Sequence, residues 1–159
     1  MNKLKIKMID KDLTKLGGDI VGEWYDLRAS SLKKYNGKDE GDILKEEGVL
    51  FYKKGDILFL GLGIAIEPPE GYEIIIAPRS STFKNYGFLL TNSIGIGDNT
   101  YRGEYSAMVY CTRNGSINYN DRFLQFRIQK QQPEVEIEFV DELSKTQRGE
   151  GGFGSTGIS

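Results

Sequence analysis

The stretch ILFLGLGIAIEPPEGYEIIIAP, residues 57–78, limits what this chain can become more than any other feature. Two apolar runs, ILFLGLGIAI (57–66) and YEIIIAP (72–78), are short and rich in β-branched residues, and they flank a turn built on prolines and a glycine. That is the pattern of buried strands joined by a tight connection. Related segments recur. Residues 3–9 (KLKIKMI) alternate polar with apolar, and YSAMVYCTR (105–113), DRFLQFRIQK (121–130) and VEIEFV (135–140) follow, divided by Gly, Asn or Pro. No segment sustains a helical period, so the sequence predicts an all-β sandwich or barrel-like jelly roll. One short helix is expected after Pro78, with Ser80 or Ser81 capping STFKNYG. The charged, turn-prone residues 30–56 read as a long solvated loop with a brief ordered piece around DILKEEGVLF.

A chain of 159 residues holds one hydrophobic core rather than two. Its 21 basic and 23 acidic residues nearly balance, which favours neither nucleic acid nor an anionic membrane as the main partner. The lone Cys111 excludes an intrachain disulfide and is compatible with a reducing compartment. No window approaches the roughly 18 apolar residues of a membrane span, and MNKLKIKMID lacks the apolar run of a leader, so a soluble, cytoplasmic protein is expected. The chain has no histidine, which leaves a carboxylate as the natural general base, with Lys, Tyr or Cys as poorer alternatives. Zinc sites built on histidine or on a thiolate cluster are excluded by the same count.

Five clusters carry more than folding needs. WYDLRA (24–29) is the first. In APRSST (77–82) a strand ends in an arginine and two hydroxyls at a helix start, groups that suit an anionic phosphate, although RSS also makes an ordinary N-cap. In TNSIGIGDNTYRGE (91–104), Gly95 and Gly97 permit close backbone approach, Asp98 lies near the bend, and Tyr101 follows three residues later. Alone, that cluster reads as a hairpin with a turn aspartate. NDRFLQF (120–126) leads from a turn at Asn120 into a strand carrying Arg122 and Gln125, which by itself is a strand opening on solvated charges. The fifth, RGEGGFGSTG (148–157), is by composition a disordered tail.

Taken in order, the five resemble the five motifs of the trimeric deoxyuridine triphosphate pyrophosphatases, the dUTPases: YDL, PRSS, GIGDNTYRG, DRFLQF and RGEGGFGSTG. The resemblance runs from about residue 24 to the end, apart from the charged loop. PRSSTFKNYG is similar to enzymes of bacilli and their phages. The resemblance implies a distorted jelly-roll β-barrel spanning residues 1–146, with an insertion at about 30–56. It also implies a mobile arm, residues 147–159, that closes over a neighbouring subunit's site in a homotrimer.

It further implies magnesium-dependent hydrolysis of dUTP to dUMP and pyrophosphate, by water attack at the α-phosphorus, which limits uracil in DNA and supplies dUMP for dTMP synthesis. Asp98 matches the aspartate that orients and deprotonates the water. Asp26 would hold the metal and its water network indirectly, and help position the arginine of the arm. Arg79, Ser80 and Ser81, assisted by Gln125, would hold the α- and β-phosphates. Asn92 and the backbone near Gly95 would pair with uracil, and Tyr101 would lie beneath the sugar and reject UTP. Arg148 would act on the γ-phosphate. Phe153 would stack on uracil, and Gly154, Ser155 and Thr156 would offer amides and hydroxyls to the phosphates. Arg122 is assigned more to the subunit interface than to the substrate.

The chain departs from the family pattern at Gly97, where Ile or Val is usual, and at Asn120, where Gly is usual. The first departure could loosen the hairpin that sets Asp98. Two rival functions stand beside this one: that of a related dCTP deaminase, whose chemistry depends on a glutamate where Met108 stands, and that of a non-catalytic nucleotide-gated binding protein.

Overall fold

The structure, a computed structural model, describes residues 3–16, 23–35 and 48–151. In chain order its elements are β1 (Lys5–Met8), β2 (Tyr25–Arg28), β3 (Ser31–Tyr35), β4 (Val49–Tyr52), β5 (Ile57–Gly61), β6 (Ile64–Glu67), β7 (Tyr72–Pro78), α1 (Thr82–Tyr86), β8 (Phe88–Leu90), β9 (Gly95–Gly97), β10 (Ser106–Cys111), β11 (Gly115–Asn118) and β12 (Arg122–Lys130). The fold is all-β with one short helix, as the sequence predicts. No described helix is long and apolar enough to cross a membrane.

Two four-stranded antiparallel sheets, β2-β12-β7-β9 and β3-β5-β10-β8, face one core, and the pairs β1-β6 and β11-β4 add to it. Period-two alternation decides which side chains enter. Ile74 and Ile76 of β7 are buried while Ile75 between them is turned away, and Leu58 and Leu60 of β5 meet Ala107 and Val109 of β10 on the same inner face. Phe88 and Phe123 pack edge to face at 6.4 Å between ring centres, and Tyr52 lies 4.9 Å from Phe88, so three strands from different parts of the chain share one aromatic cluster. The Tyr52 hydroxyl donates to the Tyr86 carbonyl at 2.7 Å, which satisfies its one polar atom there.

Three expectations need correction. The run 57–66 is two strands, not one. Gly63, at φ 63°, turns the chain between β5 and β6, and a β-carbon there would lie 2.5 Å from Leu13 and 2.8 Å from Asp10. The Gly63 carbonyl accepts from the amides of both Ile9 and Asp10, so the bend is also where β1 joins the barrel. Second, the stretch read as a solvated loop, 30–56, contains β3 and β4; residues 36–47 lie outside the described residues. Third, VEIEFV is not a strand here. Residues 131–140 have no strand partner among the described residues, and Val135, Ile137 and Phe139 are 63%, 75% and 95% exposed.

The short helix falls where expected, but Ser81 does not cap it through its side chain. The Thr82 hydroxyl instead donates to the Phe123 carbonyl, tying the helix start to β12, while Gly87 at φ 70° closes the other end through its amide to the Phe83 carbonyl.

Cys111 is completely buried in this core, and burial pushes its thiol up to about 12. A disulfide-exchange reagent at mildly alkaline pH is therefore expected to leave the native protein unlabelled and to titrate one thiol after unfolding in guanidinium; stoichiometric labelling of the folded protein would contradict this packing.

Candidate active site

The site is built on β12, which pairs with β2 on one edge and β7 on the other. Gln125 lies opposite Asp26 on one side and Ala77 on the other, and Leu124 lies opposite Pro78. Leu27 and Phe126 point into the core, so Asp26 and Gln125 must project from the opposite face. Arg122 is three residues before Gln125, and strict alternation would put the two on opposite faces. A register shift between Arg122 and Leu124 resolves this: Phe123 and Leu124 are both buried in succession, and Arg122 emerges on the side of Asp26.

The result is a compact charged cluster. Arg79, in the turn after β7, places its Nε 2.7 Å from Asp26 Oδ1, and Arg122 Nη1 donates to Asp26 Oδ2 at 3.1 Å. The first motif, the second and the fourth are thus joined through one carboxylate. Arg122 belongs to this cluster, although the sequence assigned it more to an interface. Arg28, which the sequence left without a role, donates from Nη1 to the Asn120 carbonyl at 2.8 Å. Burial lowers its pKa, and the Arg122 and Arg79 charges lower it further against the pull of Asp26. Asn120 holds a positive φ of 69°, so its carbonyl is presented by the left-handed backbone that glycine would also supply.

Gln125 donates from Nε2 to the Pro78 carbonyl at 3.1 Å, which anchors the amide beside Arg79. The Ser80 and Ser81 hydroxyls are bonded to no described residue. Two guanidiniums therefore bond to one partly exposed carboxylate, and a third, Arg28, lies within reach of its charge and of that of Asp121, in a chain whose net charge is −2. The local excess of positive charge suits a polyphosphate.

The third motif forms a second centre. Gly95 lies opposite Ile76, and a β-carbon on it would sit 3.1 Å from Ile76 Cβ, so the strands approach closely there. Asn92 is exposed in the preceding turn, with its carbonyl accepting from the Ile94 amide at 2.6 Å. Asp98 follows β9 directly, and its carboxylate is exposed and bonded to no described residue. The turn beyond it is pinned. The Tyr101 amide donates to the Asp98 carbonyl at 3.1 Å and the Tyr101 hydroxyl to the Glu104 carbonyl at 2.9 Å. Asn99 donates from Nδ2 to the carbonyls of Pro69 and Tyr72, both at 3.0 Å, fastening the turn to the connection before β7. Asn99 went unremarked in the sequence, where a polar turn residue carries no signal of such a long-range bond.

The two centres are far apart in one chain. Gly97 lies opposite Ile74, four positions before Pro78 at the end of β7, and at about 3.3 Å per residue that sets it about 13 Å along the sheet from the strand end that leads to Arg79. Arg148 stands in a third place, with its Nε donating to the Gly151 carbonyl at 2.8 Å. Phe153, Gly154, Ser155 and Thr156 lie outside the described residues. Met108, on β10, lies opposite Phe59.

Comparison with known proteins adds an independent line. The sequence profile described as dUTPase matches residues 43–157. A Bacillus subtilis protein, the SPbeta prophage-derived deoxyuridine 5'-triphosphate nucleotidohydrolase YosS, is 39% identical over 158 residues, covering 98% of both chains. The deoxyuridine 5'-triphosphate nucleotidohydrolase of Fusobacterium nucleatum is 34% identical over 159 residues, covering 99% of each. Among solved structures, the dUTPase of Staphylococcus bacteriophage 80alpha, a G164S mutant with dUpNHpp, superposes with a TM-score of 0.75 over 99% of this chain and 100% of that one; at 17% identity this likeness concerns the fold.

Asp26 neutralises guanidiniums that would otherwise repel one another. Asp26→Asn is expected to lower the melting temperature at low salt and to regain stability more steeply than the parent as salt is added. Thermal melts across a sodium chloride series check this, and parallel salt dependences for the two proteins would rule it out.

Proposed function

The chain belongs to the dUTPase family, and from that premise we propose that it hydrolyses dUTP to dUMP and pyrophosphate, with water attacking the α-phosphorus. The observation that carries this reading is the pair of centres: a cationic cradle without a nucleophile-activating base of its own, and an exposed, unpaired Asp98 held on a pinned turn. A triphosphate repels nucleophiles through its own charge, so the cradle must bind that charge while a carboxylate takes the proton of the attacking water. In a chain without histidine, an exposed Asp98 would take that proton.

Arg79 and Gln125, steered by Asp26 and the Pro78 carbonyl, would grip the α- and β-phosphates, with Ser80 and Ser81 offering the hydroxyls that no described residue uses. Arg122 and Arg28 add charge behind them. Asn92 and the backbone near Gly95 would read the uracil edge, Tyr101 would exclude a 2′-hydroxyl, and Arg148 would reach the γ-phosphate. Phe153, stacked on uracil, and the groups of Gly154, Ser155 and Thr156 would close the site.

No group of three His, Cys, Asp or Glu residues able to hold a metal occurs among the described residues. A magnesium ion would be carried on the phosphates with much of its water shell kept, and the partly exposed Asp26 would reach that shell through water. When bound, the ion supplies charge neutralisation on the phosphate oxygens.

Both centres must touch one α-phosphate, yet their backbones lie about 13 Å apart along β7 in one chain. We read the site as shared between subunits of a homotrimer, with motif 3, the cradle and the arm drawn from different protomers. The exposed alternation of Val135, Ile137 and Phe139 supports this, because it is the pattern of a strand whose partner is another copy. Met108 in place of a glutamate speaks against deamination.

Pyrophosphate release from dUTP, dCTP, dTTP and UTP, with magnesium and with EDTA, tests the reaction. Magnesium-dependent release from dUTP alone is expected, and Asp98→Asn should cut it by about 10²–10⁴-fold while keeping affinity for a non-hydrolysable dUTP analogue; release from dCTP or an active Asp98→Asn enzyme would overturn the assignment. Deleting residues 147–159 should leave the trimer intact by sedimentation and nearly abolish turnover. Full activity after that deletion would remove the arm from the mechanism.

A further inference from the structure

Gly97 precedes Asp98, and it departs from the bulkier residue the family pattern leads one to expect. Its backbone does not demand glycine, because its φ lies outside the left-handed region. Space demands it. A β-carbon at this position would come 2.1 Å from the Tyr105 hydroxyl oxygen, 2.5 Å from its Cε1 and 2.7 Å from its Cζ, inside any tolerable contact.

Tyr105 occupies that space from a fixed base. Its amide donates to the Ile64 carbonyl and its carbonyl accepts from the Leu62 amide, both at 2.9 Å, so its backbone is tied to the chain at the bend between β5 and β6. The side chain is 5% exposed, and its ring meets Tyr101 edge-on at 5.3 Å and 89°. The hydroxyl has no hydrogen-bond partner among the described residues. Burial raises its pKa, with the neighbouring Tyr101 adding to the effect, Arg102 opposing it and Asp98 adding a smaller share.

We propose that Gly97 and Tyr105 are a matched pair, in which the Tyr105 ring replaces a side chain at position 97 and holds the backbone from which Asp98 and Tyr101 project. Tyr105 is thus a positioning residue, and the absence of a side chain at 97 tightens the hairpin instead of loosening it. The ring does this work; the unpartnered hydroxyl is dispensable. The inference rests on the reading that Asp98 and Tyr101 act on dUTP.

The test is a double-mutant cycle on the full-length protein with Gly97→Val, Tyr105→Val, the combined variant and Tyr105→Phe, read by melting temperature, kcat, KM and the preference for dUTP over UTP. Each valine single is expected to lose about tenfold or more in kcat and part of its preference for dUTP, because a misplaced base costs rate out of proportion to the displacement. The combined variant, which moves bulk from 105 to 97, should recover most of both, and Tyr105→Phe should match the parent. Singles that melt earlier but keep parental kcat and selectivity would reduce the pair to packing and overturn the positioning role. Additive losses in the combined variant would overturn the match itself. If Gly97→Val does not fold, Tyr105→Val and Tyr105→Phe carry the comparison: equal kcat and selectivity in those two would show that the ring positions nothing. A parent that releases no pyrophosphate from dUTP would sink the functional reading instead, and non-additive melting temperatures would then still decide whether the pair is matched.

Discussion

Hydrogen bonding along both edges of β12 is the constraint on which the site depends. A central strand cannot slide without breaking two ladders, and a one-residue slip would turn Leu124 and Phe126 out of the core. The register that buries those side chains is therefore the register that faces Gln125 toward Asp26. Apolar burial at about 25 cal/mol per Å² thus fixes polar geometry on the other face of the sheet, without any polar interaction having to supply that precision. The bulge after Arg122 is the one place where the ladder yields, and it yields so that two residues of odd spacing share a face.

Electrostatics then works against this cluster. Arg79 and Arg122 bond to Asp26, Arg28 lies in the field of Asp26 and Asp121, and the lowered pKa of Arg28 reports both its burial and its like-charged neighbours. Arg79 and Arg122 are held and oriented by Asp26 while still partly exposed. On the proposed function, an incoming polyphosphate would relieve this repulsion as it binds and so turn a modest cost in the folded protein into affinity for a negatively charged ligand.

What could be read from the sequence follows from the same physics. β7 was legible to the residue because Ile74 and Ile76 alternate between turn signals. β3 was not, because SLKKY sends only Leu32 fully inward and shows two lysines to the eye. In β4, the outward Phe51 is 72% exposed and blurs the alternation of VLFY. The motifs named Asp26, Arg79, Gln125 and Asp98, of which the structure brings the first three together while Asp98 stands on the turn after β9; that Arg122 joins Asp26 was not legible, since no sequence spacing reveals a bulge. Arg28 and Tyr105 were missed for a related reason: each acts through a contact with a distant part of the chain, Asn120 for one and the Gly97 backbone for the other.

The failed expectation at VEIEFV is the most informative. Its alternation is genuine, and the side chains it was expected to bury are exposed instead, with Leu143 following at 86%. A lone chain that displayed such a row beside unpaired backbone groups would invite indiscriminate pairing. On the proposed trimer one event resolves both difficulties of the isolated chain. Docking the segment on a neighbour hides the apolar row, and it carries Arg148 and the residues beyond it to a place where the cradle of one copy and Asp98 of another can meet. On that proposal folding and assembly of the site share a driving force, since the apolar burial that would make the oligomer would also bring its two centres together.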